Sequence, residues 1–341
     1  MTKIMPKKLT PAERIGLVKE LVKTNLDATS RFTENRSTGY SGNVYVVEAL
    51  IEGISQKLVV KLTPIEEEPT LESEPVSRRV YSTKISNFNS AYGLLKENGF
   101  PVAKVYAQGN STKVNYHYQI VSYLEGISIR EALEDKNTPA SSMLHQVTGE
   151  MFGLLHKKIA RSYDGWANQE EPYPLPWKSA VEQAINHQLE ICLKLNSVLR
   201  ELPIKTFIDD KLSLWADPVD FVLSDIDGFQ GMARYENNKW AITGLIDIED
   251  YKFCDPRMVL AGYEVALYYE GLKVPSEFWR SYTKHKQLDD NYNNLKPLFE
   301  LYYLLSWLQI PYEGHEHVAK DQVQPVIKKF EQLIADLIKD N

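Results

Sequence analysis

Two acidic stretches hold the residues in this chain that could do chemistry. They are L-S-D-I-D-G-F-Q-G-M at residues 223–232 and G-L-I-D-I-E-D-Y-K-F-C-D-P at residues 244–256. A short β-hairpin pattern separates them, so folding is expected to bring Asp225 and Asp247 close together. Such a carboxylate pair suits phosphoryl transfer. One member orients and deprotonates an attacking hydroxyl, and the other holds the Mg²⁺ that neutralises the phosphates. Asp247 follows the apolar strand expected at residues 241–246 and so emerges at a strand end, a usual position for a metal-binding aspartate. Asp255-Pro256 reads as a helix start, with Asp255 as cap and Pro256 in the first turn.

These residues need a scaffold, and the chain supplies one in order. A first helix opens at Thr10-Pro11-Ala12-Glu13, a capping-box signature followed by Ile15, Val18, Leu21 and Val22 at helical spacing. Strands are expected at 31–36, 43–51 and 57–62, the first two flanking the turn Ser37-Thr38-Gly39-Tyr40-Ser41-Gly42. In the third strand Leu58, Val60 and Leu62 share one face and Val59 and Lys61 the other, so Lys61 points toward that glycine turn. An acidic, proline-broken loop follows, then a helix at 84–98 stopped by Gly99. Two more strands, 102–107 and 116–123, are joined by a turn at Gly109-Asn110. Beyond Glu125-Gly126 the pattern turns mainly helical, with helices expected at 128–134, 140–160, 177–200, 257–270, 276–285, 290–307 and 322–339 and a proline-rich connection at 166–176.

A β-rich part followed by a helical part with a catalytic hairpin is the layout of the protein-kinase-like fold. Over residues 31–267 the chain resembles the aminoglycoside phosphotransferase family, the small-molecule branch of that fold. The resemblance rests on S-T-G-Y-S-G-N-V-Y, L-V-V-K-L, Y-Q-I-V-S-Y-L-E-G, L-S-D-I-D-G-F-Q and G-L-I-D-I-E-D-Y-K-F-C-D-P, in the family's order and spacing. It implies an α+β, bilobal architecture. A nucleotide-binding lobe at 1–122 would be built on a five-stranded antiparallel sheet, and a larger, mainly helical lobe at 123–341 would carry catalysis and substrate binding.

The resemblance also implies roles. Asp225 is the catalytic base, and Asp247 and Gln230 are the Mg²⁺ ligands. Gly39, Ser41, Gly42, Asn43 and Lys61 lie on the phosphates of ATP or GTP, and backbone groups near Ser122 and Leu124 meet the purine. Asp227, Glu249, Asp250 and Glu270 are candidates to receive a cationic or ring-bearing acceptor, with aromatic residues of the C-terminal part beside them. Gln230 stands where the family has asparagine, and Leu223 and Ser224 where it has histidine and glycine. The helix position of the glutamate that steadies the kinase lysine is occupied by Asn87, Phe88 and Asn89, with Glu72 or Glu74 as substitutes from the preceding segment. The expected activity is transfer of the γ-phosphate to a hydroxyl of a small molecule, possible acceptors being an aminoglycoside, another antibiotic, choline or a sugar. The alternative is a nucleotide-binding pseudokinase with a binding or regulatory role.

Composition narrows the partners. A net charge of −7 argues against general binding to nucleic acid or to acidic membranes, which ask for a basic face. No apolar run approaches membrane-spanning length, and the basic N-terminal M-T-K-I-M-P-K-K is not followed by the apolar region of a signal peptide. Only Cys192 and Cys254 occur, too few for a disulfide scaffold, so a reducing cytoplasm is the expected compartment. His156 reads as a packed structural histidine, and His315-Glu316-His317 as an exposed loop.

Overall fold

The computed structural model describes residues 9–35, 43–64, 84–111, 114–135, 137–172, 175–196, 198–224, 231–313 and 321–341. These residues divide between two compact units, one formed by Met1–Glu68 with Pro101–Glu125 and the other by Pro69–Phe100 with Gly126–Asn341.

The first unit is an antiparallel sheet backed by one helix. Helix α1 (Pro11–Leu26) begins with the expected capping box: the Thr10 side chain accepts from the Glu13 N–H, and the Glu13 carboxylate accepts from the Thr10 N–H. Strands β1 (Thr29–Asn35), β2 (Asn43–Ile51), β3 (Ile54–Pro64), β4 (Val105–Asn110) and β5 (Tyr116–Ser122) form one five-stranded sheet in the order β1-β2-β3-β5-β4. The alternation read in β3 holds. Leu58, Val60 and Leu62 are fully buried against Val18, Val22, Tyr45 and Ile120, while Val59 and Lys61 face the other way and are half-buried. One expectation needs correction. Gly109 and Asn110 are not a turn but the end of β4, paired with Tyr118 and His117. The His117 ring also bonds the Asn110 side chain, which extends the strand past the glycine.

The second unit opens with α2 (Lys84–Glu97), stopped by Gly99 in the left-handed region (φ 79°), as the sequence indicated. Its elements continue as β6 (Ile127–Ser128), α3 (Ile129–Glu134), α4 (Ser141–Lys158), β7 (Ala160–Arg161), β8 (Gly165–Trp166), α5 (Trp177–Leu195) and α6 (Ile204–Ser213). They end with β9 (Phe221–Ser224), β10 (Gly231–Glu236), β11 (Lys239–Leu245), β12 (Lys252–Cys254), α7 (Pro256–Tyr269), α8 (Ser276–Thr283), α9 (Tyr292–Leu308) and α10 (Val323–Asp340). Two small sheets, β11-β10-β6 and β7-β9-β12-β8, hold the hairpin and its flanks.

The helical part packs through aromatic rings and close backbone approach. Phe152, Tyr263 and Phe278 meet with centroids 5.5 and 4.7 Å apart. α4 approaches α8 so closely at Gly149 that a Cβ there would stand 2.2 Å from the Phe278 carbonyl oxygen. The helix expected over 177–200 is two elements. α5 stops at Asn196, whose side-chain oxygen accepts from the Val198 N–H (2.9 Å), and a 3₁₀ turn Val198–Glu201 follows. α6 was not anticipated, although Ile204, Phe207, Ile208 and Leu212 form its buried stripe. Ala160, expected at a helix end, instead opens a two-residue strand with Arg161 that pairs with β9.

Candidate functional site

The β10–β11 hairpin is closed at its base by the pair Gly231 and Leu245. Gly244 and Leu245 are buried, and the chain then reaches Asp247 with φ 53° and ψ 30°, a left-handed conformation that aspartate tolerates better than most residues. A 3₁₀ turn, Ile248–Asp250, follows at once. The Asp250 N–H donates to the Asp247 carbonyl and the Tyr251 N–H to the Ile248 carbonyl, both at 3.2 Å. Ile248 and Tyr251 are buried beneath the turn, and Asp247, Glu249 and Asp250 stand on it half-buried. Three acidic residues are thus carried on one short turn.

The Asp225 side is reached through β9, all of whose residues are buried. β12 pairs with it so that Lys252 lies opposite Ser224 and Phe253 opposite Leu223. Leu223, where the family has histidine, is fully buried, and its N–H donates to the Ile159 carbonyl at 3.0 Å. Asp225, Asp227 and Gln230 lie outside the described residues. Their neighbours in the chain do not. Ser224 is paired just beyond Asp247 on its C-terminal side, and Gly231 just before it on its N-terminal side. Among the described residues no group of three or more His, Cys, Asp or Glu is arranged to hold a metal ion.

Several residues that sequence reasoning passed over hold this framework. Asp255 caps α7 as expected, accepting from the Arg257 N–H at 2.9 Å. The two side chains also form a buried ion pair at 2.7 Å, with Asp255 0% and Arg257 1% exposed. The Trp177 indole N–H donates to Asp255 (3.1 Å), and Arg257 reaches the Ala216 carbonyl (2.9 Å) in the segment leading to β9. D-P-R at the head of an apolar helix was the only signal of it. Gly126, in the motif Y-L-E-G, has φ 121°, and a Cβ there would lie 2.2 Å from the Ala233 carbonyl oxygen, which explains the glycine where β6 joins β10.

His156 is structural. Its Nδ1 is hydrogen-bonded to the Tyr282 hydroxyl at 3.1 Å, and burial, with the Lys286 charge as the smaller cause, pushes its pKa down to about 3. Glu270 ends α7 as its exposed C-cap. His315 and His317 fall outside the described residues, as do Gly39, Ser41, Gly42, Glu72 and Glu74.

In the first unit, Lys61 is paired with Val44 on one side and Gln119 on the other, and Asn43 lies opposite Leu62. The strand that carries Lys61 also pairs Leu58 with Ser122. The Ser122 N–H donates to the Lys104 carbonyl (2.8 Å), and the Ser122 hydroxyl accepts from the Lys104 N–H (2.9 Å). The Tyr123 N–H donates to the Lys57 carbonyl at 3.2 Å. Of the three amides at 122–124, Leu124 alone has no backbone partner among the described residues.

No protein-family model and no curated protein sequence matches the chain. Solved structures do. A ternary complex of a thermostable mutant of aminoglycoside phosphotransferase APH(4)-Ia with AMP-PNP and hygromycin B superposes with a TM-score of 0.60 at 12% identity, over 94% of this chain and 97% of that one. The GDP complex of wild-type aminoglycoside 2'-phosphotransferase-IIIa gives 0.59 at 12% identity, covering 96% and 99%. A putative aminoglycoside phosphotransferase from Ralstonia eutropha gives 0.56 at 9% identity, covering 96% and 98%. The protein therefore has the α+β fold of the aminoglycoside phosphotransferases, the kinase-like fold expected from its motifs. No described helix is long and apolar enough to cross a membrane.

Proposed function

We propose that this protein transfers the γ-phosphate of ATP or GTP to a hydroxyl of a small molecule, with an aminoglycoside or another antibiotic as the first class of acceptor to test. One observation carries the reading. The backbone ladders of β9–β12 and β10–β11 bring the residues that flank the segment 225–230 to either side of Asp247. Support also comes from the fold, which is shared with proteins solved with AMP-PNP and hygromycin B or with GDP.

In this reading Asp225 orients the acceptor hydroxyl and takes its proton. Lys61 contacts the phosphates from β3, beside the loop that contains Gly39, Ser41, Gly42 and Asn43. The Leu124 N–H donates to the purine, with the carbonyls at 122–124 as acceptors. Residues 1–122 hold the nucleotide, and residues 123–341 the acceptor. Asp247 and Gln230 would hold Mg²⁺, whose contribution is to neutralise charge on the phosphoryl oxygens. The Gln230 carboxamide is a neutral oxygen donor one methylene longer than asparagine, so it suits a hard cation from a slightly more distant backbone. Asp227, Glu249, Asp250 and Glu270 would receive cationic groups of the acceptor. Both cysteines are buried and neither forms a disulfide, which suits the reducing cytoplasm.

The test is Mg²⁺-dependent nucleotide turnover across an acceptor panel. Asp225→Asn is expected to lower kcat by about 10²–10⁴-fold, the usual contribution of a positioned base. Undiminished turnover in that variant would remove Asp225 from the mechanism. A second reading, a nucleotide-binding pseudokinase, draws on Leu223, Ser224 and Gln230. It predicts calorimetric ATP binding that is indifferent to Mg²⁺ and no phosphorylated acceptor.

A further inference from the structure

We propose that Asn87 is the positioning residue for Asp247, its carboxamide clamping the backbone turn that aims this carboxylate. The functional half of the inference rests on the reading of Asp247 as a metal-binding residue. The clamp itself stands on geometry within one unit.

Asn87 sits in the first turn of α2 and is 1% exposed. Its Nδ2 donates to two carbonyls, Glu249 at 2.7 Å and Tyr251 at 2.9 Å. Its Oδ1 accepts from the Asn168 N–H at 3.3 Å. Two donors facing carbonyls and one acceptor facing an N–H leave one assignment of the amide, which uses both of its donor hydrogens. Inside the turn the Asp250 and Tyr251 N–H groups are satisfied by Asp247 and Ile248. The carbonyls of Glu249 and Tyr251 point out of the end of the turn, and Asn87 donates to both. The peptide planes after Glu249 and after Tyr251 are therefore fixed from outside. That matters because Asp247, with φ 53°, is in a backbone region that a non-glycine residue keeps only where its surroundings hold it.

Helix docking alone does not account for this residue. Phe88, Ala91 and Leu95 supply the apolar burial of α2. An amide placed among them is tolerated only when its hydrogen bonds are met, and here they are spent on the turn. The acceptor side is organised as well. The Asn168 side chain donates to the Ser86 hydroxyl at 2.5 Å. The loop that carries Asn168 is held by Arg161, whose guanidinium donates to the carbonyls of Tyr163 (2.9 Å), Gln169 (2.7 Å) and Trp166 (3.3 Å). Asparagine fits and its neighbours in chemistry do not. Aspartate would set a carboxylate against two carbonyls, and glutamine would overshoot by a methylene.

The experiment compares wild type with Asn87→Asp, with the milder Asn87→Ser, which keeps one donor, and with Phe88→Leu, which loosens α2 while leaving the Asn87 amide in place. The first readout is hydrogen exchange at the Asp250 and Tyr251 amides. The second is Mg²⁺ half-saturation of nucleotide turnover set beside the nucleotide KM at saturating Mg²⁺. Asn87→Asp is expected to speed exchange at these two amides about tenfold or more beyond Phe88→Leu, with Asn87→Ser in between. It is also expected to raise the Mg²⁺ half-saturation about tenfold while nucleotide KM at saturating Mg²⁺ stays within about twofold. Exchange at Asp250 and Tyr251 no faster in either Asn87 variant than in Phe88→Leu overturns the clamp. Faster exchange with an unchanged Mg²⁺ requirement overturns its link to Asp247. A wild type without Mg²⁺-dependent turnover, joined to faster exchange in the variants, sinks the proposed reaction and leaves the clamp supported.

Discussion

Lys61 lies in the middle of a strand bonded to neighbours on both edges, whereas Asp247 stands on a turn whose backbone is pinned by side chains from other elements. In the first region each peptide contributes a little to fixing the register, and the apolar alternation of Leu58, Val60 and Leu62 forbids a slip by one residue. In the second, position depends on a few polar groups: the buried Asn87, the half-buried Arg161, and the buried pair Asp255 and Arg257. The difference teaches where substitution is tolerated. A ladder survives the loss of one side chain, but a buried polar contact that loses one partner leaves the other exposed to the full cost of desolvation.

Asp255→Ala should therefore be the most damaging change. It removes the α7 cap and leaves the Arg257 guanidinium buried without its carboxylate, at about 3–5 kcal/mol in denaturant unfolding. A loss below about 1 kcal/mol would mean that Asp289, 3.6 Å from Arg257, takes over the pairing. Val60→Ala should cost less, about 2 kcal/mol, because it removes two methyl groups from a sealed core. The ladder should keep Lys61 in place, so nucleotide KM ought to change little. A large KM effect there would erase the contrast between the regions.

His156 gives the smallest effect, and one confined to acid. Its folded pKa of about 3 lies below the ordinary 6.5, so the folded state binds fewer protons than the unfolded one. The stability at stake is present above pH 6.5 and is lost as pH falls toward about 3. Between pH 6.5 and pH 5 the wild type should lose about 1.5 kcal/mol more than His156→Gln. Parallel stability curves for the two proteins over that range would show that the imidazole does not resist protonation.

Legibility in the sequence followed the same division. Thr10 and Glu13, the alternation in β3 and the Gly99 stop were readable because each is a local rule carried by adjacent residues. The strands β7, β8 and β12 are two or three residues long, too short for a period-two pattern to show, and they exist because β9 offers its edges to β7 and β12, and β12 its outer edge to β8. The Gly109-Asn110 pair looked like a turn and became strand, because the partner strand with Tyr118 and His117 was there to receive it. At the candidate site, Asp247 and Asp255 were legible from strand ends and cap chemistry. Asn87 and Arg257 were not, because their partners lie far away in the sequence: Asn87 bonds Glu249 and Tyr251, and Arg257 bonds the Ala216 carbonyl. The family's pattern would put a glutamate aimed at a lysine on α2. The helix instead sends an amide to a turn.

The grouping of Pro69–Phe100 with the second unit has a consequence for how such a chain can be recombined. An exchange of the first 122 residues between relatives would carry α2 away from the carbonyls of Glu249 and Tyr251 that it evolved beside. A chimera that kept 84–100 with its own C-terminal part would preserve that match. The identity of Asn87 is thereby tied to the backbone path of the 247–251 turn within one block, although the chain visits that block twice.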